Sequence, residues 1–121
     1  MAQTDLDLLR GSLDVIVLRT LSAGPAHGLA IARWMRVVTD DALQLDEGSL
    51  YPALYRMENR GWIRATWRIT ENNRRAKYYS LTMAGRRQLA EQTVTWNAFV
   101  GAVAKVFAAS TSAGTAAAPA K

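Results

Sequence analysis

The stretch Leu45-Asp-Glu-Gly-Ser-Leu-Tyr-Pro-Ala-Leu-Tyr-Arg-Met-Glu-Asn-Arg-Gly61 decides how the rest of the chain is read. Leu50, Leu54 and Met57 recur at the three- and four-residue intervals that line up along one stripe of a helix, and such a stripe belongs to a core. At about 100° per residue, the positions opposite it are Gly48, Pro52, Tyr55, Arg56 and Asn59, with Ser49 and Tyr51 on the shoulders. None of these is acidic. Asp46 or Ser49 can cap the start. Pro52 is tolerated in a first turn, where its missing N–H would be unpaired anyway, and this favours Ser49 as the effective cap with Glu47 and Gly48 as a lead-in. Gly61 is a stop signal that accepts the left-handed conformation. A helix over 46–60 with an apolar back and a hydroxyl-rich, cationic front suits insertion into a DNA major groove.

The bulk properties agree with a polyanionic partner. The 121 residues suffice for one modest core, the net charge is +5, and the isoelectric point is near 10.1,. Between Arg56 and Arg87 there are nine basic residues against two acidic ones, so the remainder of the chain is net acidic. The absence of cysteine excludes disulfide and thiolate chemistry,. The first residues lack the pattern of a signal peptide, and no run of apolar residues is long enough to span a bilayer, so the expectation is a cytoplasmic protein without a membrane partner. Enzymatic chemistry finds little to work with: there is no glycine-rich phosphate loop and no metal-ligand spacing. The single histidine, His27, stands at a helix start and reads as a capping or packing group. Asp40-Asp41 and Asp46-Glu47 fall in loops or caps. No catalytic residue, metal site or cofactor is expected.

The chain outside the central helix divides by periodicity. Leu6, Leu9, Leu13, Ile16, Val17 and Leu21 form the stripe of a first helix over about 5–22, with Asp5 and Asp7 at its positive end. Ser22-Ala-Gly-Pro25 interrupts it. A second helix follows over 27–38, in which Leu29, Ile31, Ala32, Trp34 and Met35 compete for the core. Leu43-Gln-Leu45 has the alternation of a minimal strand. Beyond Gly61, Ile63, Ala65, Trp67 and Ile69 alternate with Arg64, Thr66 and Arg68, predicting a half-buried strand. Thr70 to Arg75 reads as a hairpin tip, and Ala76 to Leu81 as the returning strand with Tyr79 and Leu81 inward. The fold class expected is mainly α with a small β-wing: a winged helix-turn-helix over 1–81, with Arg74, Arg75 and Lys77 at or near the wing tip.

Thr82 is the expected N-cap of a long helix over 83–109. Leu89, Trp96 and Val103 lie seven apart, and Phe99, Val100, Val106 and Phe107 fill the intermediate positions of a heptad-like seam. A helix of that length, about 40 Å, exceeds what so small a core covers, so the seam is assigned to pairing with a second copy. Residues 110–121 are Ser, Thr, Ala, Gly and Pro in composition and read as a disordered tail.

Gly24-Pro-Ala-His-Gly28, Gly48-Ser-Leu-Tyr-Pro-Ala-Leu54 with Gly61-Trp-Ile63 behind it, and Lys77-Tyr-Tyr-Ser-Leu-Thr82 before Gly85 together resemble PadR-type transcriptional regulators over about residues 6–107. The resemblance is to the short subgroup with one long terminal helix. It implies a homodimeric, DNA-binding repressor on an inverted-repeat operator, whose terminal helices swap across the dimer. By position it places Ser49, Tyr51 and Pro52 in the recognition motif, with Tyr51 as a phosphate contact, and Lys77 in the wing motif. Asn72-Asn73 occupy a turn where the family commonly has glycine. Some relatives stack a flat aromatic effector on a terminal-helix tryptophan, which would here be Trp96, although aromatic residues at heptad spacing more often pack. From the residues themselves, Tyr55 and Arg56 join the DNA-facing set, and Arg56 is the expected base reader. The alternative is a winged-helix module whose basic face meets an acidic protein.

Overall fold

The computed structural model describes the backbone of residues 2–113 and the side chains of residues 12–109. The elements run α1 (Ala2–Leu21), β1 (Ala26–His27), α2 (Gly28–Val38), α3 (Glu47–Asn59), β2 (Ile63–Ile69), β3 (Arg75–Leu81) and α4 (Met83–Ala113). The expected mainly α architecture with a small wing is what forms. The chain divides into two units, residues 1–89 and 90–121. Helix α4 runs to Ala113, into the tail expected over 110–121; the rest of that tail and the expected roles of Asp5, Asp7, Leu6 and Leu9 lie outside the described residues.

The core of the first unit is built by three helical stripes. Leu13, Val17, Leu18 and Leu21 come from α1, Ile31 and Met35 from α2, and Leu50, Ala53, Leu54 and Met57 from α3. Full burial of each large side chain contributes roughly 1.5 to 3 kcal/mol. Of the residues competing for the core in α2, Leu29 and Trp34 remain exposed, because Ile31 and Met35 already occupy the inward face.

Three local expectations are corrected. The cap of α3 is Asp46, whose Oδ1 accepts the Ser49 N–H at 2.7 Å, and not Ser49 itself. The helix therefore starts earlier, and Pro52 falls inside it, so the Gly48 carbonyl has no helical donor. Leu43 to Leu45 do not form a strand. Leu45 instead plugs the core and Leu43 packs partly against it, while Thr39 Oγ1 holds the Leu43 N–H at 3.1 Å. The third strand is β1, only two residues long, and the sheet order is β1-β3-β2. Its backbone pairs Ala26 with Tyr79 and His27 with Tyr78. No two-residue strand has a readable period.

The helix ends are closed as their sequences direct. At the end of α3, Gly61 adopts φ +77, and the Gly61 and Trp62 N–H groups bond back to the Glu58 and Met57 carbonyls at 3.0 Å. This is the double closure that a left-handed residue permits. At the end of α2 the same two bonds form from Asp40 and Asp41 to Val37 and Arg36, but both aspartates sit at positive φ. Asp tolerates that region through its short polar side chain, at some conformational cost. Thr82 caps α4 as expected, accepting the Gly85 N–H at 3.0 Å. Its hydroxyl also donates to the Gly61 carbonyl at 2.6 Å. A Cβ on Gly85 would lie 1.9 Å from the Trp62 carbonyl oxygen, so the first turn of α4 can approach α3's end only as glycine.

In the second unit, α4 carries Trp96, Phe99, Val100, Val106 and Phe107 exposed, with Val103 half-buried. The Trp96 and Phe99 rings lie 6.3 Å apart and tilted. No helix among the described residues is long and apolar enough to cross a membrane.

Candidate nucleic-acid interface

With its apolar stripe committed to the core, α3 leaves two flanks and a front. On one flank, Arg56 Nη2 lies 2.6 Å from Asp14 Oδ1 of α1. On the other, Glu58 Oε1 is 3.7 Å from Lys77 Nζ of β3, and Tyr51 leans on the start of α2. The front presents Pro52 and Tyr55 to solvent, and Ser49 is half-buried near the cap.

The seat of Tyr51 is specific. Its Oη, Cε1 and Cζ atoms come within 2.6 to 2.8 Å of where a Cβ on Gly28 would stand. The start of α2 is itself fixed by His27, whose Nδ1 accepts the Ala30 N–H at 3.1 Å and whose ring meets Tyr78 edge-on at 5.2 Å. His27 is thus the capping and packing group its position predicts. Burial raises the Tyr51 pKa above the ordinary tyrosine value, and Glu47 adds to it. A tyrosine hydroxyl is a donor at neutral pH in any case, and the shift extends that state to higher pH.

The wing is a two-stranded ribbon whose faces follow its register. Ile63, Ala65, Trp67 and Ile69 of β2 stand opposite Leu81, Tyr79, Lys77 and Arg75 of β3. Ile63 and Tyr79 are buried, but Trp67 and Ile69 are exposed, a departure from the half-buried strand expected there. The strands continue past the point where the core ends. Cations then cover the aromatic faces: Arg75 lies 4.7 Å from the Trp67 ring centre, and on the opposite face Arg68 lies 4.5 Å from that of Tyr78. Both are diagonal neighbours across the ribbon. At the tip, Thr70 accepts the Asn72 and Arg74 N–H groups on its hydroxyl, and Asn73 takes φ +61, the conformation for which asparagine substitutes for glycine,.

Between this wing face, Tyr51 and the first turns of α2 runs an open groove of about 450 Å³. Of the residues expected to face DNA, the structure brings Tyr51, Arg74, Arg75 and Lys77 to this groove. Ser49, Pro52 and Tyr55 lie outside its lining along α3, and Arg56 is held by Asp14. Arg33 and Trp67, which the sequence does not mark as DNA-facing, also line it. Trp67 was hidden by an alternation that assigns it inward, while Arg33 carried no signal beyond its charge. The groove's charged lining is Arg33, Arg74, Arg75 and Lys77 against Glu71, a surplus suited to phosphates,. Leu89, assigned to the seam of α4, packs partly against the core of the first unit. Among the described residues no group of three or more His, Cys, Asp or Glu could hold a metal.

The model of the PadR-like transcriptional regulator family matches residues 17–91. An uncharacterized protein X of Lysinibacillus sphaericus is 30% identical over 90 residues, covering 74% of this chain and 83% of that one. The structure of a transcriptional regulator from Clostridium thermocellum superposes with a TM-score of 0.74 at 29% identity, over 82% of this chain and 96% of its own. A PadR-like transcriptional regulator of Bacillus cereus gives 0.72 at 26% identity, over 84% and 96%.

Proposed function

The chain belongs to the PadR-like family of transcriptional regulators, a family of DNA-binding regulators, and from that premise we propose a homodimeric repressor that acts on an inverted-repeat operator in the cytoplasm. Each subunit lays α3 in the major groove with Ser49, Pro52 and Tyr55 toward the base edges. The groove beside the wing takes the neighbouring backbone. There Tyr51 donates to a phosphate oxygen, and Arg74, Arg75 and Lys77 supply charge, with Arg33 beside them. Arg56 reads guanine by exchanging the Asp14 carboxylate for O6 and N7. Two copies pair through Trp96, Phe99, Val100, Val103, Val106 and Phe107, leaving the α3 helices about 34 Å apart, one turn of B-DNA. Bound there, the dimer covers promoter sequence.

The observation that carries this reading is convergence. Residues from α2, α3 and the wing, far apart in sequence, meet in one cationic groove beside the exposed front of α3. The test is titration of the whole chain against duplex DNA at rising salt, with its mass followed by sedimentation. Expected are binding at low salt that falls log-linearly as salt rises and a dimer at micromolar concentration. Failure to bind any duplex at low salt would overturn the reading in favour of an acidic protein partner. A monomer would overturn the dimeric arrangement.

A further inference from the structure

We infer that Gly28 is a positioning residue for DNA binding: by lacking a side chain at the start of α2, it seats the Tyr51 ring where its hydroxyl reaches a phosphate in the groove. The inference rests on the DNA-binding reading above and adds to it a residue of the groove lining that has no side chain of its own to offer DNA.

Space beside Tyr51 is what position 28 supplies. A Cβ at position 28 would stand 2.6 Å from Tyr51 Oη and 2.7 Å from Cε1, closer than real contacts allow. Gly28 is not among the glycines at positive φ, so the backbone itself accepts alanine, and alanine favours a helix over glycine. Conformation therefore does not demand glycine here. Space for the tyrosine does. The opposing atoms belong to the far end of a side chain that is 42% exposed, so the ring can swing away without disturbing the core. The seat is rigid from below, since the His27 cap and the pairing of β1 with β3 hold the first turn of α2 against the sheet. Alanine at position 28 thus leaves the fold and displaces one side chain.

The experiment is a double-substitution cycle on the whole chain, using the duplex enriched from a random-sequence pool. Tyr51→Ala is expected to weaken binding about ten-fold or more, as loss of a hydrogen bond to a charged group does. Gly28→Ala is expected to weaken it comparably. The melting temperature should stay at or slightly above that of the parent chain, and the salt slope should not change, because no cation is removed. In the Tyr51→Ala background, Gly28→Ala should cost less than about two-fold, since the group it displaces is gone. Full additivity of the two losses would overturn the inference, as would parental affinity in Gly28→Ala or a Gly28→Ala chain that does not fold. If Tyr51→Ala binds like the parent, the phosphate role of Tyr51 fails, and the inference with it. If the parent binds no duplex, the DNA-binding reading itself fails.

Discussion

At the root of the wing, Ile63 and Ala65 face Tyr79 and Leu81 and lie against the core. Farther along the same face, Trp67 and Ile69 stand 55% and 60% exposed opposite Lys77 and Arg75. The residue pattern is continuous from one region to the other, and its physical meaning reverses where the helices stop covering it. At the root, an apolar side chain buys stability by leaving water. At the tip, apolar rings are platforms for cations and carry a surface on which a backbone can lie. The comparison makes a separable demand: substitutions at the root should act on folding, and substitutions at the tip on binding.

The largest effect should come from Ile63→Ala. Ile63 is 2% exposed, and truncating a buried isoleucine costs about 2 to 5 kcal/mol. Denaturant unfolding of the variant checks this, and a loss below about 1 kcal/mol would place the wing's root outside the cooperative core. Gly85→Ala should follow, at roughly 1 to 3 kcal/mol, because the added Cβ meets the backbone oxygen of Trp62 and not a movable side chain. It contrasts with Gly28, where the same substitution meets only a ring that can move. At the tip, Lys77→Ala should leave the unfolding midpoint nearly unchanged, since its pair with Glu58 spans 3.7 Å at the surface,. Its effect should appear as uniformly weaker binding to all duplexes, with the salt slope reduced by about 0.9.

The contrast between root and tip also explains which features were legible in the sequence. The stripes of α1 and α3, the hairpin, the Thr82 cap and the Gly61 stop were readable because each is set by residues within a turn or two of one another. The Asn72-Asn73 pair marked the turn for the same reason, but not which of the two takes the left-handed conformation, which is Asn73. Features set by distant neighbours were not. The cap of α3 fell to Asp46 over Ser49 with only local competition between them, but β1 exists because Tyr78 and Tyr79 arrive beside it from some fifty residues away. The exposure of Trp67 depends on where the core ends, which no alternation records. Of the groove and its surroundings, the wing charges and Tyr51 were marked in the sequence, and Gly28, Arg33 and Asp14 were not, because what folds against them sets their surroundings.

A titration sharpens the root. Burial raises the Tyr79 pKa above its ordinary value of 10.0, with Glu58 and then Tyr51 adding to the shift. A raised folded value means that the folded state keeps its proton longer than the unfolded chain. The stability tied to it is therefore fully present below about pH 10 and is lost as pH rises through the folded value. Melting temperature followed upward through that range should fall, and Tyr79→Phe should flatten the alkaline limb. An unchanged limb would mean that the hydroxyl is already in contact with solvent at the root.

On the opposite flank of α3, away from the wing, the effect on folding should be small. Asp14 and Arg56 pair at 2.6 Å, with the two side chains 24% and 45% exposed, so the bridge contributes at most about 1 kcal/mol to folding. On the proposed reading the carboxylate works against DNA binding twice: it occupies the guanidinium and it adds negative charge near the duplex. Asp14→Asn should therefore lower stability by less than about 1 kcal/mol and raise affinity for the enriched duplex, while Arg56→Ala should lower affinity by about 1 to 3 kcal/mol, concentrated at one base pair. If Asp14→Asn instead weakens binding, the pair serves to aim Arg56 and not to withhold it. In that case the flank facing α1 would be preorganised for DNA in the way that Gly28 preorganises the flank facing α2.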